Sequence, residues 1–199
     1  LTRKRIENKI KAQSINDFYV CSLSTQTIVY KGMFLAEQLS EFYPDLLDNE
    51  FTSKFAIYHQ RYSTNTFPTW SLAQPFRVLA HNGEINTLKG NLNWMSAHEP
   101  RITHPFFNER INDLKPILDP DASDSASLDA AFELFVQTDR DMPMAKSMII
   151  PESWSNRSDL SDQLKAMYAY CNAVIEPWDG PAAVCGNCGD CRISGMDRN

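Results

Sequence analysis

The sequence predicts a single α+β unit. Short β-rich runs occur early, in the middle and at the end of the chain. Between them lie segments whose apolar residues recur at helical spacing. No internal repeat, low-complexity linker or sharp composition shift divides the 199 residues, a length that suffices for one domain with its own core.

The elements follow in order. Arg3-Lys4-Arg5, with Lys9 and Lys11, reads as the solvated side of an edge helix, because Glu7 interrupts the basic run and no aromatic residue interleaves it. Residues 18–23 and 27–30 are β-rich and flank polar Ser24-Thr25-Gln26, which is a hairpin signal. A helix is predicted over 35–42 from Leu35, Leu39 and Phe42, with Pro44 as its stop. Strands are predicted at about 54–60 and 75–81. A helix over 86–98 would carry Leu88, Leu92 and Met95 on one face, weakened by Gly90. The stretch 99–124, rich in Pro, Asn and Asp, reads as a long loop. Helices return at about 127–137, 142–149 and 160–175, and a hairpin of 182–184 with 192–194 closes the chain around a Gly- and Cys-rich turn.

Composition narrows the function. The chain is 43% apolar and 22% charged, as ordinary globular proteins are. A net charge of -6 argues against nucleic acid as a partner. No apolar run is long enough to cross a bilayer, and no signal peptide is visible, so the expected compartment is the cytoplasm or an organelle stroma. Leu1 rather than methionine heads the chain, and the last residues stop without a cap or polar tail, which suggests a piece of a longer polypeptide.

Two polar runs carry the chemistry: His59-Gln60-Arg61-Tyr62-Ser63-Thr64-Asn65-Thr66 and His81-Asn82-Gly83-Glu84-Ile85-Asn86-Thr87. Each follows an apolar, strand-like segment. The planar fork of Arg61 suits bidentate capture of a carboxylate, although a surface ion pair would also account for it. Asn82-Gly83 offers a side-chain amide beside a backbone N–H without Cβ obstruction, a pair able to stabilise an oxyanion. The same dipeptide is also the strongest two-residue hairpin signal. Asp124 precedes a predicted helix, where it is either a first-turn acid or a holder of a substrate ammonium group. His59, His81, His98 and His104 lack the spacing of a zinc-binding helical pair; His59 and His81 read as structural strand-end residues.

Together these motifs resemble the class II glutamine amidotransferase (glutaminase) domain of glutamate synthase large subunits. The resemblance covers nearly the whole chain. It is most specific in Asp17 to Ser24, Ile28 to Met33, the Arg61 motif, His81 to Trp94, and Glu176-Pro177-Trp178-Asp179-Gly180-Pro181-Ala182; Met196 to Asn199 also fits. The resemblance implies an N-terminal-nucleophile fold, an αββα sandwich of two antiparallel sheets between helical layers, incomplete in this chain. Residues 1–199 would be the central to C-terminal part of one such domain. An N-terminal cysteine, with its own α-amino group as base, would attack the side-chain amide of L-glutamine and free ammonia. Arg61 would grip the substrate α-carboxylate with Thr64 nearby, Asn82 and Gly83 would form the oxyanion hole, and Asp124 would bind the α-amino group. The ammonia would pass to 2-oxoglutarate at an FMN and iron–sulfur site elsewhere in the intact enzyme. Electrons would come from a small partner subunit or ferredoxin. Such an enzyme would occupy the cytoplasm, or the plastid stroma of a photosynthetic eukaryote.

The chain departs from that family in two places. The nucleophilic cysteine is absent, and Cys21, inside a predicted strand, reads as a small buried hydrophobe. The polypeptide alone is therefore expected not to hydrolyse glutamine, and missing strands would leave sheet edges that favour aggregation. The last hairpin carries Cys185, Cys188 and Cys191. Their spacing matches the start of an iron–sulfur run without its fourth ligand, and three thiols could also join a zinc site. The simpler reading is a turn in which the cysteines are incidental, with no metal and no cofactor held by this chain. Two other functions stay open: a catalytically dead glutamine-binding module, and a small metal-binding protein built on the cysteine triplet.

Overall fold

The structure, a computed structural model, describes residues 1–15, 17–60, 67–187 and 189, and the backbone of 192–196. Helix α1 (Thr2–Lys11) opens the chain. Of its basic residues Arg5, Lys9 and Lys11 are exposed, as the sequence predicts, whereas Arg3 and Lys4 are half-buried. Arg3 makes ion pairs with Glu7 and Glu133. Lys4 donates to the carbonyls of Pro116 and Ile117 at 2.6 and 3.1 Å. Apart from Glu7 these partners lie far along the chain, and two of them are carbonyl groups, which no local charge pattern signals.

Up to residue 60 the described residues form no strand ladder. The hairpin predicted at 18–30 is present only as its turn, where the N–H groups of Gln26 and Thr27 donate to Ser24 Oγ at 3.1 and 3.3 Å. The strand predicted at 54–60 is likewise absent among the described residues. The helix predicted at 35–42 is reduced to α2 (Gln38–Phe42), and Pro44 starts a 3-10 turn (Pro44–Leu47) instead of continuing it. Leu23, Ile28, Leu35 and Phe42 are between 59% and 63% exposed, so this region presents apolar side chains that nothing here covers.

Strand β1 (Leu79–Gly83) starts later than the predicted 75–81. The cause is Asp129, whose carboxylate accepts from the N–H groups of Arg77, Val78 and Leu79 at 3.3, 2.9 and 3.1 Å. Those donors are thereby withdrawn from any earlier ladder. Helix α3 (Leu88–His98) falls within its predicted range, and the stretch after it contains 3-10 turns at Glu99–Arg101 and Asn108–Leu114.

Three capped helices carry much of the core. Helix α4 (Asp124–Val136) begins ahead of the predicted residue 127 because Ser123 Oγ accepts from the Ala126 N–H at 3.2 Å. Helix α5 (Met142–Ile149) is started by Asp141, which accepts from the Met144 N–H at 2.8 Å. Helix α6 (Asp162–Val174) is started by Ser161. Strands β2 (Ala182–Asn187) and β3 (Arg192–Met196) form the predicted closing hairpin in a longer version. β2 also pairs with β1, giving one antiparallel sheet in the order β1-β2-β3, with Leu79 opposite Gly186 and Gly83 opposite Ala182. Leu79, Ala182 and Val184 lie in one core with Leu128, Phe132, Met148, Ile149, Cys171, Ile175 and Trp178. Each large apolar side chain buried there contributes about 1.5–3 kcal/mol.

Candidate active site

Asn82 and Gly83 are the last two residues of β1, paired with Ala183 and Ala182 of β2. The dipeptide is therefore a strand end and not a hairpin turn. Gly83 has φ +127°, and a Cβ there would stand 2.0 Å from the Pro181 carbonyl oxygen. Just beyond, the Glu84 N–H donates to Pro181 at 3.2 Å and the Asn86 N–H donates to the Asp179 carbonyl at 2.8 Å. Backbone meets backbone here. The Asn82 side chain stays exposed at the open end of the strand.

The N-terminus of α4 meets this strand end from the other side. Asp124 Oδ2 accepts from the Ile85 N–H at 3.0 Å, and its Oδ1 accepts from the Ser125 N–H at 2.7 Å and the Ser125 hydroxyl at 3.2 Å. His81 Nδ1 lies 2.7 Å from Ser125 Oγ. The contacts of residues 81 and 85 thus bracket Asn82-Gly83 and fix the dipeptide beside the Asp124 carboxylate. His81 is 2% exposed, and its Nε2 meets no partner among the described residues. Burial holds its imidazole below the usual histidine value, opposed by the nearby Asp124 charge.

A second web locks the loop that enters β2. Buried Asn91 donates to the carbonyls of Glu176 and Pro177 at 3.2 and 2.9 Å, and accepts from the Thr87 hydroxyl at 2.7 Å. That hydroxyl accepts in turn from the Asp179 N–H at 3.0 Å. The Trp178 N–H donates to the carbonyl of Ile149 at the end of α5. The two sequence segments singled out around Asn91 and Trp178 are therefore hydrogen-bond partners in space.

The structure thus brings Asn82, Gly83 and Asp124 to one place. Arg61 and Thr64 lie outside the described residues, as do Cys188 and Cys191. Cys185 is exposed on β2. Among the described residues no group of three or more His, Cys, Asp and Glu side chains could hold a metal ion. Cys21 is half-buried and outside any strand, and burial raises its thiol. Two features escaped the sequence: the contact of His81 with Ser125, and the role of Asp129, whose only signal was a lone acid within the apolar run Leu128 to Phe132.

The family described as glutamine amidotransferases class-II matches residues 1–199. The chain is similar to the glutamate synthase [NADPH] large chain of Azospirillum brasilense, 59% identical over 199 residues, 100% of this chain and 13% of that protein. It is similar to the ferredoxin-dependent glutamate synthase of Pyropia yezoensis, 48% identical over 204 residues, with the same two shares. It is also similar to the ferredoxin-dependent glutamate synthase 2, chloroplastic, of Arabidopsis thaliana, 46% identical over 203 residues, 100% of this chain and 12% of that protein. The chain therefore spans about an eighth of the length of these relatives.

Proposed function

We infer that this chain, which belongs to the class II glutamine amidotransferases, forms the central to C-terminal part, residues 1–199, of one glutamine-hydrolysing domain within a glutamate synthase. The relatives support this, since the chain is matched throughout its length by proteins named glutamate synthase. The observation that carries the reading is the bracket of His81–Ser125 and Ile85–Asp124 contacts, which sets Asn82-Gly83 beside a carboxylate.

The roles are those that the family resemblance implies at the matching positions. Arg61, with Thr64, holds the α-carboxylate of L-glutamine, and Asp124 holds the α-ammonium group. A cysteine outside Leu1–Asn199 passes its thiol proton to its own α-amino group and bonds through sulfur to the side-chain amide carbon, while the carbonyl electrons move to oxygen. The Asn82 amide and the Gly83 N–H stabilise that oxyanion. Its collapse expels the nitrogen, protonated by the cysteine's α-amino group, as ammonia and leaves a thioester for water to cleave.

The complete domain is then the αββα sandwich, and the sheet β1-β2-β3 belongs to one of its two sheets. The exposed Leu23, Ile28 and Leu35 fit a face awaiting a covering layer. In the intact synthase the ammonia reacts with 2-oxoglutarate, and bound FMN with an iron–sulfur cluster supplies the reducing electrons. Both groups would be held elsewhere in the synthase; among the described residues no group of His, Cys, Asp and Glu side chains could hold a metal ion, and Cys188 and Cys191 lie outside them. The electron source is a small partner subunit or ferredoxin, and relatives named for NADPH and for ferredoxin both exist. The compartment is the cytoplasm, or the plastid stroma, and one relative is named as chloroplastic. No described helix is long and apolar enough to cross a membrane.

The test is Asn82→Ala in the glutaminase-active protein. Its kcat for glutamine hydrolysis should fall by about 10²–10³ with little change in KM. An unchanged kcat would remove Asn82 from the oxyanion hole.

A further inference from the structure

Resting on the glutamine site above, we propose that His81 and Ser125 are positioning residues that aim the Asp124 carboxylate at the ammonium group of the substrate. Ser125 has one hydroxyl hydrogen and two neighbours that could receive it, His81 Nδ1 at 2.7 Å and Asp124 Oδ1 at 3.2 Å. A carboxylate is acceptor-only, whereas a histidine nitrogen can serve as donor, so one arrangement places a hydrogen in both contacts. His81 Nδ1–H donates to Ser125 Oγ, and the Ser125 hydroxyl donates to Asp124 Oδ1. The reverse arrangement would leave the oxygens of Ser125 and Asp124 facing each other with no hydrogen between them.

The relay has a direction and a consequence. Asp124 receives the Ser125 N–H and hydroxyl on one oxygen and the Ile85 N–H on the other. Three donors, two on Ser125 in α4 and one on Ile85 just past β1, leave it little rotational freedom, and Asp124 itself is only half-buried. Ser125 is 8% exposed and His81 2%, so water competes poorly for these bonds. His81 also belongs to β1, one residue before Asn82.

The experiment compares two substrates in the glutaminase-active protein: glutamine, and glutaramate, which keeps the carboxylate and amide but lacks the α-amino group. A residue that only aims Asp124 matters for the first substrate alone. Ser125→Ala and His81→Ala should each cut the ratio of kcat/KM for glutamine to that for glutaramate by about tenfold, or ~1.4 kcal/mol. The loss should fall mainly on KM, in the direction set by Asp124→Asn. Ser125→Thr restores the hydroxyl and should recover the ratio. His81→Asn, whose amide can stand where Nδ1–H stood, should retain more of it than His81→Gln. An equal loss on both substrates, with thermal unfolding shifted to match, would reduce these residues to structural ones and overturn the proposal. So would an unchanged ratio. If instead Asp124→Asn leaves the ratio unchanged in an active enzyme, the assignment of the ammonium site falls, and the positioning role falls with it.

Discussion

Gly83 and Pro181 approach so closely that a Cβ on residue 83 would stand 2.0 Å from the Pro181 carbonyl oxygen. The Glu84 N–H then donates to that same oxygen at 3.2 Å. One carbonyl therefore fixes both the identity of residue 83 and the path of the chain after it.

Gly83→Ala should accordingly cost more than about 2 kcal/mol, since the clash is with backbone and φ is +127°. Chemical denaturation would show it. Hydrogen exchange should locate the loosening at the β1–β2 pair, and glutaminase activity should fall even below the melting temperature. A variant as stable as the parent would mean that β1 and the 180–182 segment can separate at little cost.

Asn91→Ala would strip the carbonyls of Glu176 and Pro177 of their buried donor and the Thr87 hydroxyl of its acceptor. Unsatisfied buried groups of this kind cost about 1–3 kcal/mol each. The expected loss is at least about 2 kcal/mol, with amide protection lost first at Asp179. Unchanged protection there would show that Thr87 alone holds the loop.

Asp129 gives a pH signature. Burial, with Glu133 adding to it, pushes its carboxyl up to about 6, against an ordinary 3.8. The folded value lies above the unfolded one, so its contribution is fullest below about pH 4 and is lost as pH rises through 6. Asp129→Asn removes this titration. The difference in stability between parent and variant should shift by about 2–3 kcal/mol between pH 4 and 6 and stay flat above. A difference that does not vary with pH would show that the carboxyl keeps its ordinary value.

Lys31 should behave oppositely at the alkaline end. It is 4% exposed, donates to the Ser71 carbonyl at 2.7 Å and lies over the rings of Tyr19 and Phe76. Burial lowers its ammonium from 10.5 to about 8. The unfolded chain holds that proton more tightly, so parental stability should rise between pH 8 and 10.5 relative to Lys31→Met, by about 3 kcal/mol. Denaturation curves across that range would reveal the rise or its absence.

What the sequence made legible was local. Helix α5 has its predicted bounds because Asp141 and the apolar spacing after it lie within one stretch of chain. The closing hairpin was visible for the same reason. The ladder predicted over 18–30 did not form, because a β-rich run announces an affinity for a partner strand without supplying one. At the candidate site, Asn82, Gly83 and Asp124 were named from residue type and family resemblance. Their nearness could not be, since it depends on Ile85 and His81 meeting a helix terminus some forty residues on. Asp129 was missed because its partners are backbone groups, which carry no sequence signal.

The pairing of Leu79 with Gly186 sets a schedule for synthesis. At ribosomal rates of about 5–20 residues per second, roughly five to twenty seconds separate the emergence of the two strands. The α4 N-terminus emerges well before β2, so the Asp124 contact to Ile85 can hold β1 while its ladder partner does not yet exist. A nascent chain halted at Gly180 should already protect the Ile85 amide from exchange, and Asp124→Ala should abolish that early protection.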